Sequence, residues 1–467
     1  MPSRWFPRKR TSKNIPTPKH KKETVSASFF VIPIKPYTMK IKALLTAVWL
    51  CVAALPAMSA QRYVGGDISL LPEYEKAGAQ YKAPSGEPIA DLIPWLHRQG
   101  MNAMRVRLFV NPAKYKELHQ NDANADTRYD PNACQDLEYI KPLCKRIVDS
   151  GMDLMLDFHY SDTWADPAKQ WTPIDWEGLT DEQLYQKIYD YTRDVLTQLK
   201  DYGVVPAFIQ PGNEISYGML WGSAGTSSPK KALMGSDANW ERFGKLLRQA
   251  VKACQEVCPD AKIILHTERV AQVDVLKNFY DKMKELDVPY DIIGLSYYPY
   301  FHGGLNVLDK ALQSMQNNFL SKNVMIVETG YSYKWELPGT NHDNTQTWPY
   351  SEAGQAKFVT DLVTDLEKYD QVDGLFWWWL EYNAYGTSLS GWYNAPLFDS
   401  TTGRATAALS ALCSYATSGI VTLHPDDLDP SGLSDSDSWY TIAGRCLSAA
   451  PTTPGLYIRN HRKVMVQ

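Results

Sequence analysis

The chain has 467 residues, of which 44% are hydrophobic and 21% charged, so a large core is possible and global disorder is excluded. A formal net charge of -4 gives no electrostatic case for a nucleic-acid partner. The 15 Trp and 28 Tyr supply flat faces for a core and for stacking on the C–H faces of sugar rings.

Residues 1–38 are rich in Lys, Arg, Ser and Pro. Met39-Lys-Ile-Lys and "ALLTAVWLCVAALPAMSA" follow, a basic start, an apolar stretch of roughly 13 residues and small residues at its end. That is the anatomy of a signal peptide, and it is short of the ~20 residues a membrane span needs. Residues 1–60 are therefore expected to be an upstream segment and signal peptide with the true start at Met39, and the mature chain to begin near Gln61. The protein is expected to be exported, to the periplasm, the cell surface or the medium. Cys51 lacks the small residues that precede a lipidated cysteine and leaves with the signal. Cys134, Cys144, Cys254, Cys258, Cys413 and Cys446 remain; export permits disulfides, and the pairing stays open. No Cys/His spacing reads as zinc.

Eight strands are predicted in order: Tyr63–Ser69, Ala103–Val110, Asp153–Tyr160, Pro206–Glu214, Lys262–Glu268, Asp291–Tyr298, Asn323–Gly330 and Gly374–Leu380. Most are too continuously apolar to have a wet face, as parallel strands buried on both sides are. Segments such as Trp240–Cys254 and Glu352–Lys368 carry apolar residues at three- and four-residue steps between them. Eight alternations of strand and helix predict a (β/α)8 TIM barrel over residues 61–415. A doubly wound sheet is disfavoured, because no Gly-rich phosphate loop follows the first strand. Residues 416–438, including "DDLDPSGLSDSDS", read as a linker. Residues 439–467 alternate like a small β-rich C-terminal tail and resemble the β-rich C-terminal segments of some bacterial exported proteins, type IX sorting tails among them.

Polar residues gather at the C-terminal strand ends: Asp67, Arg107, His159, Glu214, Glu268, Tyr298, Glu328 and Trp378. Barrel enzymes build their sites at that end. Glu214 and Glu328 close the fourth and seventh strands. Glycosidic cleavage needs two such carboxyls, one protonated and one ionised. A single Glu at a strand end is ordinarily solvated or ion-paired; the pair, with Asn213 before the first, points to catalysis. Asn213 is placed to bind a sugar hydroxyl, Arg107 to keep one carboxyl ionised, and Trp378 to floor the pocket.

The stretches "PGNEI", "VETGY", "DFHYSDTWADPAKQ", "GLSYYPY" and "MRVRLFVNP" together resemble glycoside hydrolase family 53, the endo-β-1,4-galactanases, from about Gly65 to about Leu412. The resemblance implies a retaining hydrolase of β-1,4-galactan and type I arabinogalactan, the side chains of pectin, acting as a monomer with no membrane span. It implies Glu214 as acid/base, Glu328 as nucleophile and Asn213 on the 2-hydroxyl. Arg107 would steady the nucleophile, with Arg105 as the alternative. His159, Asp162 and Trp164 would line sugar sites, Tyr298 (or Tyr297) would sit near the nucleophile, and Trp378 would be the tryptophan of the last strand. Bacterial members often hold calcium through an Asp-x-Asp-x-His-x-Asn run and a Ser-x-x-Asp. Here His342, Asn344 and Ser390 align, but Pro338, Thr340 and Tyr393 stand where the acids would be, with Asp343 nearby. Calcium wants several anionic oxygens, so no metal site of that design and no other cofactor is expected. Two other functions compete with galactan cleavage: the same reaction on another β-linked polysaccharide, and a non-catalytic glycan-binding barrel.

Overall fold

The computed structural model describes residues 61–226, 230–233, 235–383, 385, 395–417, 421–423, 439–441, 446–447, 450–452, 455–459 and 462–466. The predicted signal segment and residues 424–438 of the predicted linker lie outside them. Eight parallel strands close into a barrel in sequence order. They are β1 (Tyr63–Asp67), β2 (Ala103–Leu108), β3 (Asp153–Phe158), β4 (Phe208–Pro211), β5 (Lys262–Thr267), β6 (Ile292–Tyr297), β7 (Asn323–Thr329) and β8 (Val372–Trp377). Closure is made by β8 on β1, with Tyr63 opposite Gly374. Helices cross between successive strands and bury the outer faces. This is the (β/α)8 barrel that the alternation predicts.

The period of two along each strand stacks the interior in layers. The lower interior is apolar: Ala103, Met155, Phe208, Ile264, Ile292, Met325, Val327 and Phe376. Two residues further along β2, β3, β4 and β5 stand Arg105, Asp157, Gln210 and His266, all fully buried. The barrel therefore turns polar from the middle upward, and its polar groups have to satisfy one another.

Two irregularities aim the top layer. At β4, Gly212 has φ +115° and Glu214 φ +47°, so the strand stops at Pro211, short of the predicted Glu214. A Cβ on Gly212 would stand 2.6 Å from Ile215 and strain a backbone conformation that favours glycine. At β7, Leu295 faces Ile326 but Ser296 faces Glu328, a bulge of one residue. Strict alternation would send Glu328 outward, because Val327 already points into the barrel; the bulge turns it to the mouth.

Near the C-terminus five short strands form a second sheet, in the order Cys446–Leu447, Trp439–Thr441, Gly455–Arg459, Arg462–Val466 and Val421–Leu423. The last of these pairs parallel to Arg462–Val466, so the sheet draws a strand from the stretch read as linker. Trp439, Val464 and Val466 form its small core.

Candidate active site

A cavity of about 590 Å³ opens at the C-terminal strand ends and is lined by Glu214, Glu328, Asn213, Tyr298, Trp164 and Trp378, among others. Carboxylate oxygens of Glu214 and Glu328 and a ring nitrogen of His266 all lie within 4.8 Å of one another. The Ser296 hydroxyl sits between the acids, 2.7 Å from Glu214 Oε1 and 3.4 Å from Glu328 Oε2.

The environments of the two acids differ. Glu328 is 4% exposed, pairs with Arg105 Nη1 at 3.0 Å and accepts the Tyr298 hydroxyl at 2.9 Å. Burial raises its pKa, and Arg105 and Tyr298 counter that rise. Among the described residues, no cation pairs with Glu214. Burial, then the charges of Glu328 and Glu268, push its pKa well above the usual carboxylate range. Of the pair, Glu214 is therefore the harder to ionise.

A buried network fixes these side chains. Arg105 donates to Asp157 at 2.7 Å and to Asn213 Oδ1 at 2.8 Å. The Asn213 amide donates one N–H to the Ala165 carbonyl at 2.9 Å, which leaves its other N–H for a ligand. His266 Nδ1 lies 3.3 Å from the Glu214 nitrogen, 3.1 Å from the Gln210 amide nitrogen and 3.1 Å from Asn213 Oδ1; with two N–H groups facing it, it acts as the acceptor. Its Nε2 therefore carries the hydrogen and donates to Ser296, 2.8 Å away. Burial and the Arg105 charge hold the imidazole neutral, well below its ordinary pKa. The His266–Ser296 chain thus delivers one hydroxyl hydrogen to Glu214.

Of the sequence-predicted residues, Glu214, Glu328, Asn213, Trp164, Tyr298 and Trp378 line the cavity. The other three stand behind it. Arg107 does not reach the nucleophile: it lies one layer above Arg105, donates to Asp67 at 2.8 Å, and sits under the rings of Trp164, Trp378 and Trp379 at 4.8, 4.9 and 5.0 Å. The arginine on Glu328 is Arg105, the alternative. His159 lies 3.1 Å from Asp157 and accepts the Ala165 N–H at 3.1 Å, which holds the loop above β3. Asp162 accepts the backbone N–H groups of Asn111 and Ile174 at 2.9 and 2.7 Å; burial lifts its carboxyl to about 6. Sequence reasoning assigned no role to Asp157, His266, Ser296 or Trp379. The first two sit two residues beyond interior apolar positions, a signal that the strand period carries.

The segment aligned with the family's calcium run spends its polar groups locally. Asn344 donates to the Pro299 carbonyl at 2.9 Å, and Asp343 accepts the Thr345 N–H at 2.9 Å. Ser390 and Tyr393 lie outside the described residues. Among the described residues, Cys134, Cys144, Cys254, Cys258 and Cys413 are free thiols, and no helix is long and apolar enough to cross a membrane.

Two carboxyls of unequal proton affinity at the mouth of a (β/α)8 barrel define the class: a barrel glycoside hydrolase. The chain belongs to glycosyl hydrolase family 53, whose profile matches residues 63–412. It is 31% identical over 353 residues to arabinogalactan endo-beta-1,4-galactanase A of Aspergillus niger, covering 73% of this chain and 92% of that one. Among solved structures it resembles the GH53 catalytic domain of Ignisphaera aggregans, with TM-score 0.65 and 29% identity over 77% of this chain and 97% of that domain. It also resembles a fungal beta-1,4-galactanase, with TM-score 0.60 and 28% identity over 76% and 99%.

Proposed function

We propose that this chain is an endo-acting, retaining β-1,4-galactanase, with Glu328 as nucleophile and Glu214 as acid/base. The observation that carries the reading is the asymmetric carboxyl pair. Its oxygens lie within 4.8 Å, which supports retention (~5–5.5 Å between carboxyls) over inversion (~6.5–9.5 Å). Family membership supports galactan as the polymer.

Glu328 attacks the anomeric carbon from below while Glu214 gives its proton to the departing oxygen. The C–O bond breaks, the shortened chain leaves as an alcohol, and a galactosyl ester of Glu328 remains. Glu214, now ionised, takes a proton from water, the water oxygen attacks the same carbon, and Glu328 is released. Arg105 and Tyr298 stabilise the Glu328 carboxylate at the start and end of this cycle. The free N–H of Asn213 is aimed at the 2-hydroxyl. Trp164 and Trp378 offer stacking faces, while Arg107, His159 and Asp162 hold the walls.

Residues 61–415 would form the catalytic domain and 439–467 a tail, with Val421–Leu423 of the intervening 416–438 joining the tail's sheet. Residues 1–60 carry the export signal, so the enzyme works outside the cytoplasm on galactan too large to enter.

The test is hydrolysis of linear β-1,4-galactan with anomer-resolved NMR at early times. The β-anomer of the new reducing end should appear first, and Glu328→Gln should abolish turnover while still binding oligosaccharide. An α-anomer first, or release from xylan or mannan but not galactan, would overturn the reading.

A further inference from the structure

The mechanism leaves Tyr300, Phe301 and Trp379 of the cavity lining unused, and of these Tyr300 and Trp379 are buried. Phe301 lines the cavity and is 41% exposed. It belongs to the short helix Pro299–His302, directly after β6. Ring order sets β6 across the barrel from β2, whereas Trp164 follows β3 and Trp378 and Trp379 follow β8. The cavity thus has aromatic faces at two opposed ends, with the carboxyl pair in the same cleft.

The Phe301 ring is braced. It meets Tyr300 edge-on at 4.5 Å and 74°, and Tyr298 at 6.1 Å and 70°. Leu337 and Pro338 line the cavity beside it, and a Cβ on Gly339 would touch the ring at 3.7 Å. Two of its neighbours, Tyr298 and Tyr300, are buried. An isolated exposed aromatic is common on protein surfaces; a braced ring with its remaining surface open to a substrate cleft is a ready stacking face.

The position fixes which sugar the ring would meet. Asn213 and Trp378 line the cavity where the sugar attacked by Glu328 would sit, and the Trp cluster extends from there toward β8 and β3. The leaving sugar must lie on the other side of the scissile oxygen, toward β5 and β6. Endo cleavage requires sugar units to be held on both sides of that oxygen. A β-galactopyranose suits a phenyl ring, because its axial O4 leaves the opposite face lined by C–H groups.

We propose that Phe301 is the stacking platform for the galactosyl unit on the leaving-group side of the scissile bond, an inference that rests on the galactanase reading. It does no chemistry; it holds the leaving sugar so that the glycosidic oxygen meets the Glu214 proton.

The experiment compares two substrates that share the same glycon. Linear β-1,4-galactan places a sugar over Phe301, and β-galactobiosyl fluoride places none there. Phe301→Ala should lower kcat/KM on galactan about tenfold and change it less than about twofold on the fluoride, with Phe301→Trp restoring the galactan rate. Equal losses on both substrates, or no loss on galactan, overturn the inference while wild-type cleavage of both leaves the galactanase reading intact. Wild-type enzyme inactive on both substrates overturns that reading and this inference together.

Discussion

Arg105 and Glu328 form an ion pair at 3.0 Å, and the same guanidinium reaches Asp157 at 2.7 Å and Asn213 at 2.8 Å. One cation therefore ties the nucleophile to the residue preceding the acid/base. Arg105 has no exposed side-chain surface, so removing it strands buried anions. Such a loss costs several kcal/mol, of which part falls on the transition state. Arg105→Met should lower kcat/KM on galactan by roughly 10²–10³-fold. With its cation gone, Glu328 becomes harder to ionise, so the acidic limb of the pH profile should move to higher pH. Arg105→Lys should recover only part, since an ammonium lacks the planar fork that serves four partners, Asp67 among them. An unmoved acidic limb in a folded Arg105→Met protein would refute the assignment.

Glu268, at the end of β5, acts on the other limb. Its Oε1 accepts the Ser216 hydroxyl at 2.6 Å and pairs with Arg269 at 2.7 Å. Burial comes first in raising Glu214, then Glu328, then Glu268. Glu268→Gln keeps the shape and removes the charge, so Glu214 gives up its proton at lower pH. The alkaline limb of kcat/KM should fall by roughly 0.5–1 pH unit, with the acidic limb unchanged. A profile that moves as a whole, or moves upward, excludes this role.

The barrel and the carboxyl pair were legible because both are written in local pattern. Strand period and helix period alternate eight times, and Glu214 and Glu328 stand where strands end. The choice between Arg105 and Arg107 was not legible. Both face inward on β2, and which one is level with the nucleophile depends on the bulge at Val327–Glu328, a feature of β6–β7 pairing. The backbone contacts of Asp162 were not legible for a related reason. Its partners are the N–H groups of Asn111 and Ile174, distant in sequence. The strand Val421–Leu423 was read as linker because its sheet partner lies some forty residues on, at Val464–Val466.

Arg107 has a structural task behind the cavity wall. Its Nε and Nη2 are buried with no hydrogen-bond acceptor among the described residues, and three indole rings surround the guanidinium instead. Cation–π attraction takes the place of the missing hydrogen bonds and fixes the angle of the rings. Arg107→Met removes that attraction while filling similar space. The KM for galacto-oligosaccharides should rise by about tenfold, with kcat changed by less than about threefold. Calorimetric titration of oligosaccharide into the Arg107→Met, Glu328→Gln double variant isolates the binding step. If kcat fell and KM held, Arg107 would belong with the chemistry rather than the platform.

The last prediction concerns stability rather than turnover. Asp373 lies in β8 near its N-terminal end, away from the cavity mouth, and is 5% exposed. It accepts from the Asn323 amide through Oδ2, and its Oδ1 has no partner. Burial lifts its carboxyl from 3.8 to about 7, with the Asn323 bond opposing. A raised folded-state pKa means that the folded protein holds the proton more tightly than the unfolded chain. The stability this supplies is complete below about pH 4 and is lost as pH rises through about 7. Asp373→Asn carries no such proton, so its stability should lack this dependence. Relative to the variant, the wild type should lose on the order of 1–3 kcal/mol between pH 5 and pH 8. Thermal unfolding of both proteins at those two pH values reads the difference, and the variant should have the higher Tm at pH 8. Parallel Tm curves would mean that Asp373 is ionised in the folded barrel, solvated through an opening at the bottom of β8.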